Sequence, residues 1–505
     1  MPEPAAPTPS PRRRWLRLGV RGLMLLILLP GAGLGYVVHL AHVQRDAVAA
    51  IERAGGECRY DWEVPVRGRV AAWGAPDAPG WLVDWLGPDY FGHVAAVTLG
   101  KDATDAELAY LGRLDRVRQL TFLPGGSRAT DLGVAHLAAL TRLEEVIISG
   151  HRVTGAALRH LGGAVGLCQL YLDNVPIGAT DLAALAPHRG ELVQLVLVRT
   201  GIDDAGMAHL AGMGRLGLLI IDDARITGAG LRHLDAAPGL KTLMLIRTRV
   251  ADLAALPPLA GLEMLRLDGS PVADAGLARL GGLPGLKFLD LTDTAVTDAG
   301  LAHLAGLPRL ETLQLAGTRV GDAGIPALMA CPRVVTLGLA RTAVTDAGLL
   351  ALDPARTLDL DLAGTRVTDA GMATLAALTR LGGLDLADTA VTDRGMQALA
   401  AGRGVGGSLS LARTKVTDAG LLALGPINVL QVDLAGTAVT DAGLLALARS
   451  KSLAEVDLTG TRVTDAGLAT LARLPMLRRV RTAATPITEA GRAALRRSRP
   501  QAEVR

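Results

Sequence analysis

Apolar residues recur along this chain in two alternating rhythms, a short one of period two and a longer one of period three, and the pair returns about every 24 residues from residue 100 onward. The unit from Leu289 to Leu313 contains both. Leu289-Asp290-Leu291 alternates apolar and polar, which predicts a strand with both leucines on its inner face. Thr294 stands at the following turn, where its hydroxyl is expected to satisfy backbone groups of the neighbouring coil. Val296 returns to the core. Asp298 is expected to N-cap a short helix, its carboxylate accepting from backbone N–H groups two or three residues on. Leu301, Leu304 and Leu307 form the inner face of that helix, Pro308 ends it, and the chain enters the next strand at Leu313-Gln314-Leu315.

The residue aligned with Asp298 recurs at seventeen positions between Asp105 and Glu489. A fixed period of this size specifies a solenoid, because one such coil cannot bury its leucines alone whereas stacked coils can. Each buried leucine stabilises by roughly 1.5–3 kcal/mol, so a core spread over many coils does not need aromatic residues. That accounts for a chain that is 50% hydrophobic but 3% aromatic.

The recurring L-x-x-L-x-L-x-G-T-x-V-T-D-A-G-L-A-x-L-A-x-L resembles a leucine-rich repeat, from Val94 to about Arg497. Its T-D-x-G-L segment is similar to the cysteine-containing subclass known from F-box proteins, with Thr where that subclass has Cys and other classes have Asn. The resemblance implies an α/β repeat solenoid, a leucine-rich repeat horseshoe of about 17 coils with a parallel concave sheet and short convex helices. It also implies a non-enzymatic protein–protein interaction scaffold or receptor-like binding module. The alternative, by analogy with F-box proteins, is a substrate-recognition adaptor for an enzyme complex.

Ahead of the repeats the pattern changes. Residues 1–21 are Pro-rich and then basic, with Arg12, Arg13, Arg14, Arg17 and Arg21 against Glu3. An uncharged run from Gly22 to Val38 follows, extendable through Leu40 and Ala41. A spanning helix takes about 20 apolar residues and a signal-peptide core about 7–15. Residues 22–41 therefore read as one transmembrane signal anchor, with a cleavable signal peptide, cut near Gly31 and Gly33, as the competing reading. The basic flank puts residues 1–21 in the cytoplasm as a tail and the repeats on the extracytoplasmic side.

Residues 42–93 divide into a juxtamembrane helix and an aromatic cap. The helix, read over His39 to Ala54, carries Val43, Ala47, Val48 and Ile51 on one face and stops at Gly55-Gly56. Tyr60, Trp62, Trp73, Trp81, Trp85, Tyr90 and Phe91 are seven of the thirteen aromatics in the chain. An aromatic ligand site is one reading; a cover for the apolar end of the first coil is the one a solenoid demands. The R-D-A-V-A-A-I-E-R-A-G-G, Y-D-W and D-Y-F-G-H-V segments also resemble bacterial single-pass membrane-anchored leucine-rich repeat proteins, which places the repeat domain, residues 94–505, in the bacterial envelope.

Charge and chemistry narrow the function further. The net charge is +3, and since the first 21 residues carry five arginines against one glutamate the remainder is near −1, which argues against a nucleic-acid surface. Cys58, Cys168 and Cys331 are odd in number and far apart, so no disulfide framework is expected. There is no C-x-x-C, H-E-x-x-H, G-x-S-x-G or P-loop, and neither catalysis nor a cofactor is expected. His136, His160, His209, His233 and His303 share one helical position, but equivalent residues on adjacent coils are spaced too widely to share an ion.

The outward strand column carries the remaining information. It runs Thr98, Thr121, Ile147, Tyr171, Val196, Ile220, Met244, Arg266, Asp290, Gln314, Gly338, Asp361, Asp385, Ser410, Asp433, Asp457, Arg481. From Ile147 to Met244 it is apolar, and Val198 and Ile246 in the next outward column are expected to widen the patch. A contact surface for a protein partner or an envelope polymer is one reading, and the β-propensity of Ile and Val is the other. Asp361, Asp385, Asp433 and Asp457 then make the column acidic. Neighbouring like charges cost a few tenths to about 1 kcal/mol per pair, so either a basic partner or loosely held cations use them, or one ancestral coil was copied. The alternation Arg319, Ala343, Arg366, Ala390, Lys415, Ala438, Arg462 points to copying of two-coil blocks.

Overall fold

Each strand stage pairs with the next, and the repeat period is the register of the sheet. The computed structural model describes residues 20–64, 76, 78–123, 125, 127–150, 152–235, 237–378, 380–402, 405–425 and 429–505, with side chains from residue 32 apart from Thr357. Among the described residues nineteen strands form one sheet. β1 (Glu57–Tyr60) runs antiparallel to β2 (Val94–Leu99), and every later strand pairs in parallel with its successor up to β19 (Glu503–Val504). Leu265, Leu289, Leu313, Leu337 and Leu360 are consecutive partners along it. These leucines, with Val296, Leu301, Leu304 and Leu307, belong to a single buried cluster running from Ala47 to Val504. The helical stage is short: one α-turn at Asp298–Leu301 passes into a 3-10 turn at Ala302–Gly306.

The helix cap differs from the expectation. Thr297, not Asp298, is the N-cap, its hydroxyl accepting from the Ala299 N–H. The aspartate reaches across to the next coil instead. Asp274 accepts from both the backbone N–H and the hydroxyl of Thr297, at 2.7 and 2.6 Å. The same two bonds join Asp105 to Thr130, Asp131 to Thr154 and Asp204 to Thr227, each within 2.5–2.8 Å. They run on through Asp322–Thr345, Asp346–Thr368, Asp369–Thr392, Asp393–Thr417, Asp418–Thr440, Asp441–Thr464 and Asp465–Thr488. Asp298 meets a glycine and keeps only the bond to the Gly321 N–H, at 2.7 Å.

The glycine of T-D-A-G gives this contact room. A Cβ on Gly300 would lie 2.4 Å from the Asp274 carboxylate, although Asp131 makes the same two bonds to Thr154 in a coil with Ala157 at that position. Gly155 and Gly228 occupy the aspartate position, while Asp181 accepts from the Gly178 N–H and Asp252 from the Ala254 N–H within their own coils. Between Thr154 and Asp274, Asp204–Thr227 is therefore the one such link among the described residues.

The turn threonine also differs in its partner. The Thr294 hydroxyl donates to the Leu291 carbonyl of its own coil at 2.6 Å, and Thr318, Thr342, Thr365, Thr389 and Thr414 repeat this bond.

The first coil is covered by a helix and a strand more than by aromatics. Helix α1 (Val20–Arg53) packs Ala47, Ile51 and its continuation Ala54 onto the cluster containing Leu99 and Leu108, and ends at Gly55, whose φ is 76°. β1 covers the open edge of β2. Tyr60 and Trp62 stack at 4.8 Å, but Trp81 and Trp85, on helix α2 (Gly80–Leu86), stand in solvent, and Trp73 lies outside the described residues. The basic tail over residues 1–19 lies outside them as well, as do the side chains of residues 20–31 in the expected anchor. Among the described residues no helix is long and apolar enough to cross a membrane.

At the other end, three of the terminal arginines bond back into the structure. Arg492 donates to the Thr482 hydroxyl, Arg496 to the Val504 carbonyl and Arg499 to the Ala472 carbonyl. They tie down the last helix, Glu489–Ser498, and β19 in addition to keeping the surface polar.

One core position holds an imidazole. His188 takes the place that Leu307 holds in its own coil; it is fully buried, and neither ring nitrogen has a hydrogen-bond partner. Burial lowers its pKa from the ordinary 6.5, with the nearby Leu161 carbonyl pulling the other way without completing a bond.

Two predictions follow from this packing. Asp369→Ala strips the Thr392 N–H and hydroxyl of their acceptor and is expected to cost about 2–3 kcal/mol in urea denaturation, with Asp369→Asn costing less; equal stability of all three would show that the link contributes nothing. His188→Leu removes an unsatisfied buried ring and is expected to stabilise by about 1–2 kcal/mol. Because its folded pKa is depressed, the unfolded chain takes up the proton first, so wild-type stability falls as pH drops below 6.5 toward the folded value. A thermal-melt series over pH is expected to show that part of the decline missing from the variant.

Candidate functional site

The five apolar residues of the outward column come together. Ile147, Tyr171, Val196, Ile220 and Met244 are successive register partners across β4 (Glu145–Ser149), β5 (Gln169–Asp173), β6 (Gln194–Val198), β7 (Leu218–Asp222) and β8 (Thr242–Ile246). At about 4.8 Å per strand they form a strip roughly 19 Å long on the sheet face opposite the helices. Four are half-buried, and Val196, hemmed between Tyr171 and Ile220, is 9% exposed.

Val198 and Ile246 do not widen this strip continuously. Their column reads Asp173, Val198, Asp222, Ile246, so carboxylates alternate with them. Asp173 accepts from Arg199 at 2.5 Å and Asp222 from Arg247 at 2.6 Å. The strip is thus apolar along its length and bordered by ion pairs. Burial, then the Asp173 carboxylate, raises the pKa of the Tyr171 hydroxyl and keeps it neutral.

The acidic column has a local purpose that the sequence reading missed. Asp361 accepts from the Ala363 N–H, Asp385 from Ala387, Asp433 from Ala435 and Asp457 from Thr459, at 2.8–3.0 Å, and Asp290 does the same with Thr292. Each is the last residue of its strand. These are side-chain turns that compete with the sheet ladder and end it. The recurring Asp-Leu-Ala-Gly-Thr segment, a turn sequence directly after the strand, was the signal for it.

The charge still has a cost. Asp361 and Asp385 are register partners, as are Asp433 and Asp457. The pKa of Asp361 is raised by burial and then by Asp385, and that of Asp433 by burial and then by Asp457 and Asp385. The column ends where Arg481 pairs with Asp457 at 3.2 Å.

Other candidate chemistry disperses. Among the described residues no three His, Cys, Asp or Glu side chains are placed to hold a metal ion. His160 and His233 accept from the neighbouring Arg159 and Arg232. The cysteines are free; burial pushes the Cys58 thiol up to about 12 and raises Cys331, so neither is an activated nucleophile.

Replacing Asp361 and Asp433 together by Asn keeps both turn acceptors and removes two charges. Stability at pH 7 is expected to rise by about 0.5–1 kcal/mol. Because the folded pKa values are raised, wild-type stability grows as pH falls toward the ordinary 3.8, and the advantage of the variant is expected to shrink over that range. Urea titrations between pH 7 and pH 4 check this, and a variant less stable throughout would show that the charges serve the fold.

Comparison with known proteins agrees with the geometry. The leucine-rich repeat family model matches residues 384–400, the stretch from Leu384 in its strand to the end of the following helix at Ala400. An internalin of Listeria monocytogenes is 19% identical with a TM-score of 0.50, over 64% of this chain and 92% of its own. A leucine-rich repeat protein of Leptospira interrogans is 17% identical with a TM-score of 0.48, over 73% of this chain and 91% of its own. The mouse RP105/MD-1 complex is 16% identical with a TM-score of 0.44, over 78% and 76%. No curated protein matches the chain in sequence. The 24-residue period, the in-register parallel strands and the match of the family model to one repeat give this chain the fold of a leucine-rich repeat protein.

Proposed function

We propose that this protein is a membrane-tethered interaction scaffold whose partner, a protein or an envelope polymer, docks on the open face of the sheet. The observation that carries the reading is the strip from Ile147 to Met244. Five consecutive coils present an apolar side chain outward, in register, where the later coils present aspartate. Strand propensity rewards β-branched residues, yet Tyr171 and Met244 are not β-branched and hold the strip's continuity. A bordered apolar strip of this kind suits a contact rather than free solvent.

Tethering is supported by the manner in which α1 leaves the body. From Ala41 onward Ala41, Gln44, Ala47, Ala50 and Ile51 are buried, whereas Leu34, Tyr36, Val37 and Leu40 before them are exposed. Uncovered apolar helix of this sort requires a cover, and the uncharged run from Gly22 with its basic flank makes a bilayer the natural one. In this reading the repeats stand on the extracytoplasmic side.

Placing a photo-crosslinking residue at Ile220 in the native membrane, then identifying what is attached, tests the docking face. Tyr171→Asp with Ile220→Lys is expected to reduce capture at least tenfold while circular dichroism and the melting temperature stay near wild type. Undiminished capture by the folded variant would remove the strip from the reading.

A further inference from the structure

Helix α2 buries none of its side chains. Trp81 and Trp85, one turn apart, are 69% and 75% exposed. At 100° per residue their shared face is about 40° wide, and Asp84 stands about 80° from its centre, at the polar margin. Tryptophan in solvent forgoes a large burial term, and two on one face of a short helix mark a contact.

The place of α2 in the fold identifies the contact. Its C-terminal end is pinned to α1: the Arg45 guanidinium donates to the Leu86 carbonyl at 2.5 Å, pairs with Asp89 at 3.5 Å and lies over the Tyr90 ring at 5.6 Å. Gln44 braces the same joint, donating to Asp89 and to the Gly92 carbonyl and accepting from the Val94 N–H. Arg45 lies five residues past Leu40, where the exposed apolar stretch of α1 ends. At 1.5 Å per residue that is about 7.5 Å along the helix. The head-group layer on each side of the hydrocarbon core is roughly 5–8 Å deep, so the end of α2 is held at the level of that layer.

We propose that α2 lies in the head-group layer of the bilayer, with Trp81 and Trp85 seated at the interface beside the point where α1 emerges. Indole rings, apolar in body with one N–H donor, partition to this zone. The inference rests on the tethered reading above and adds a second point of attachment. One helix lets the solenoid swivel about its axis; a helix and a pinned interfacial segment fix which side faces the membrane.

The test uses the full chain reconstituted in phosphatidylcholine vesicles containing lipid brominated near the head group, comparing wild type with W81S/W85S. Since Trp81 and Trp85 stand in solvent, both chains are expected to fold alike by circular dichroism and to stay with the vesicles after an alkaline wash. Bromolipid quenching of tryptophan emission is expected to fall by half or more in the variant, and iodide in the aqueous phase is expected to quench wild type little. Wild type that is retained, yet quenched by bromolipid no more than the variant, would overturn the interfacial seat and leave the anchor standing. Wild type stripped by the wash would overturn both.

Discussion

The contact on which this solenoid depends is a carboxylate of one coil accepting from the N-cap threonine of the next, as Asp369 does from Thr392 at 2.7 and 2.6 Å. A helix start leaves backbone N–H groups without partners, and a short helix has too few residues to satisfy them internally. Here the neighbouring coil supplies one acceptor and the threonine another. Thr, Asp and Gly in the T-D-x-G segment are one device: Thr392 caps its own helix and donates backward, Asp393 accepts from Thr417 ahead, and Gly395 leaves room for Asp369, whose carboxylate a Cβ would meet at 2.5 Å. In a solenoid, stability is close to a sum of coil terms and nearest-neighbour terms. The link is such a neighbour term, on the helical side, and the sheet supplies the corresponding one on the other.

The two means of joining coils vary inversely along the chain. From Asp274 onward the aspartate links are continuous and most strands have three residues, several closed by an aspartate that accepts from the N–H two positions on. Between Thr154 and Asp274 one link is present among the described residues, and β4 to β8 have five residues each. The outward residue accompanies strand length without fixing it: strands ending at Asp290, Asp433 and Asp457 have three residues, but so do those ending at Arg266, Gln314, Gly338 and Ser410, whereas Thr357–Asp361 and Arg380–Asp385 have five and six. The five apolar outward residues all lie on five-residue strands.

The period made the core and the register legible before any coordinates: Leu289 and Leu313 had to be neighbours because the pattern between them closes one coil. The partners of polar side chains were not legible. Asp298 was expected to serve its own helix, and Thr294 the neighbouring coil, and each does the reverse. Sequence separation misleads here, since a donor 23 residues away lies one coil off and competes equally with one two residues away. The outward column was placed correctly, but the turn made by each of its aspartates depends on a backbone direction that composition does not carry. The aromatic cover is borne by only some of the expected residues: Tyr60 packs against the core with Trp62 stacked on it. α1 and β1 already close the first coil, which leaves Trp81 and Trp85 without a core to enter.

On the proposed tethering, the order of the coils becomes a distance from the membrane. The apolar strip begins two strands after β2, so at about 4.8 Å per strand it lies roughly 10–30 Å from the coil that α1 covers. β13 (Thr357–Asp361), where the acidic stretch opens, is eleven strands from β2 and roughly 50 Å away along the sheet by the same spacing. Aspartates whose turns end their strands, and whose mutual repulsion is relieved by Ser410 and Arg481, are explained by the coil itself. The strip has no such internal account, since a polar residue at Tyr171 or Ile220 would leave the inward leucines beside them undisturbed. On the proposed reading a docked partner accounts for the strip, and it would meet the half of the solenoid nearest the proposed anchor.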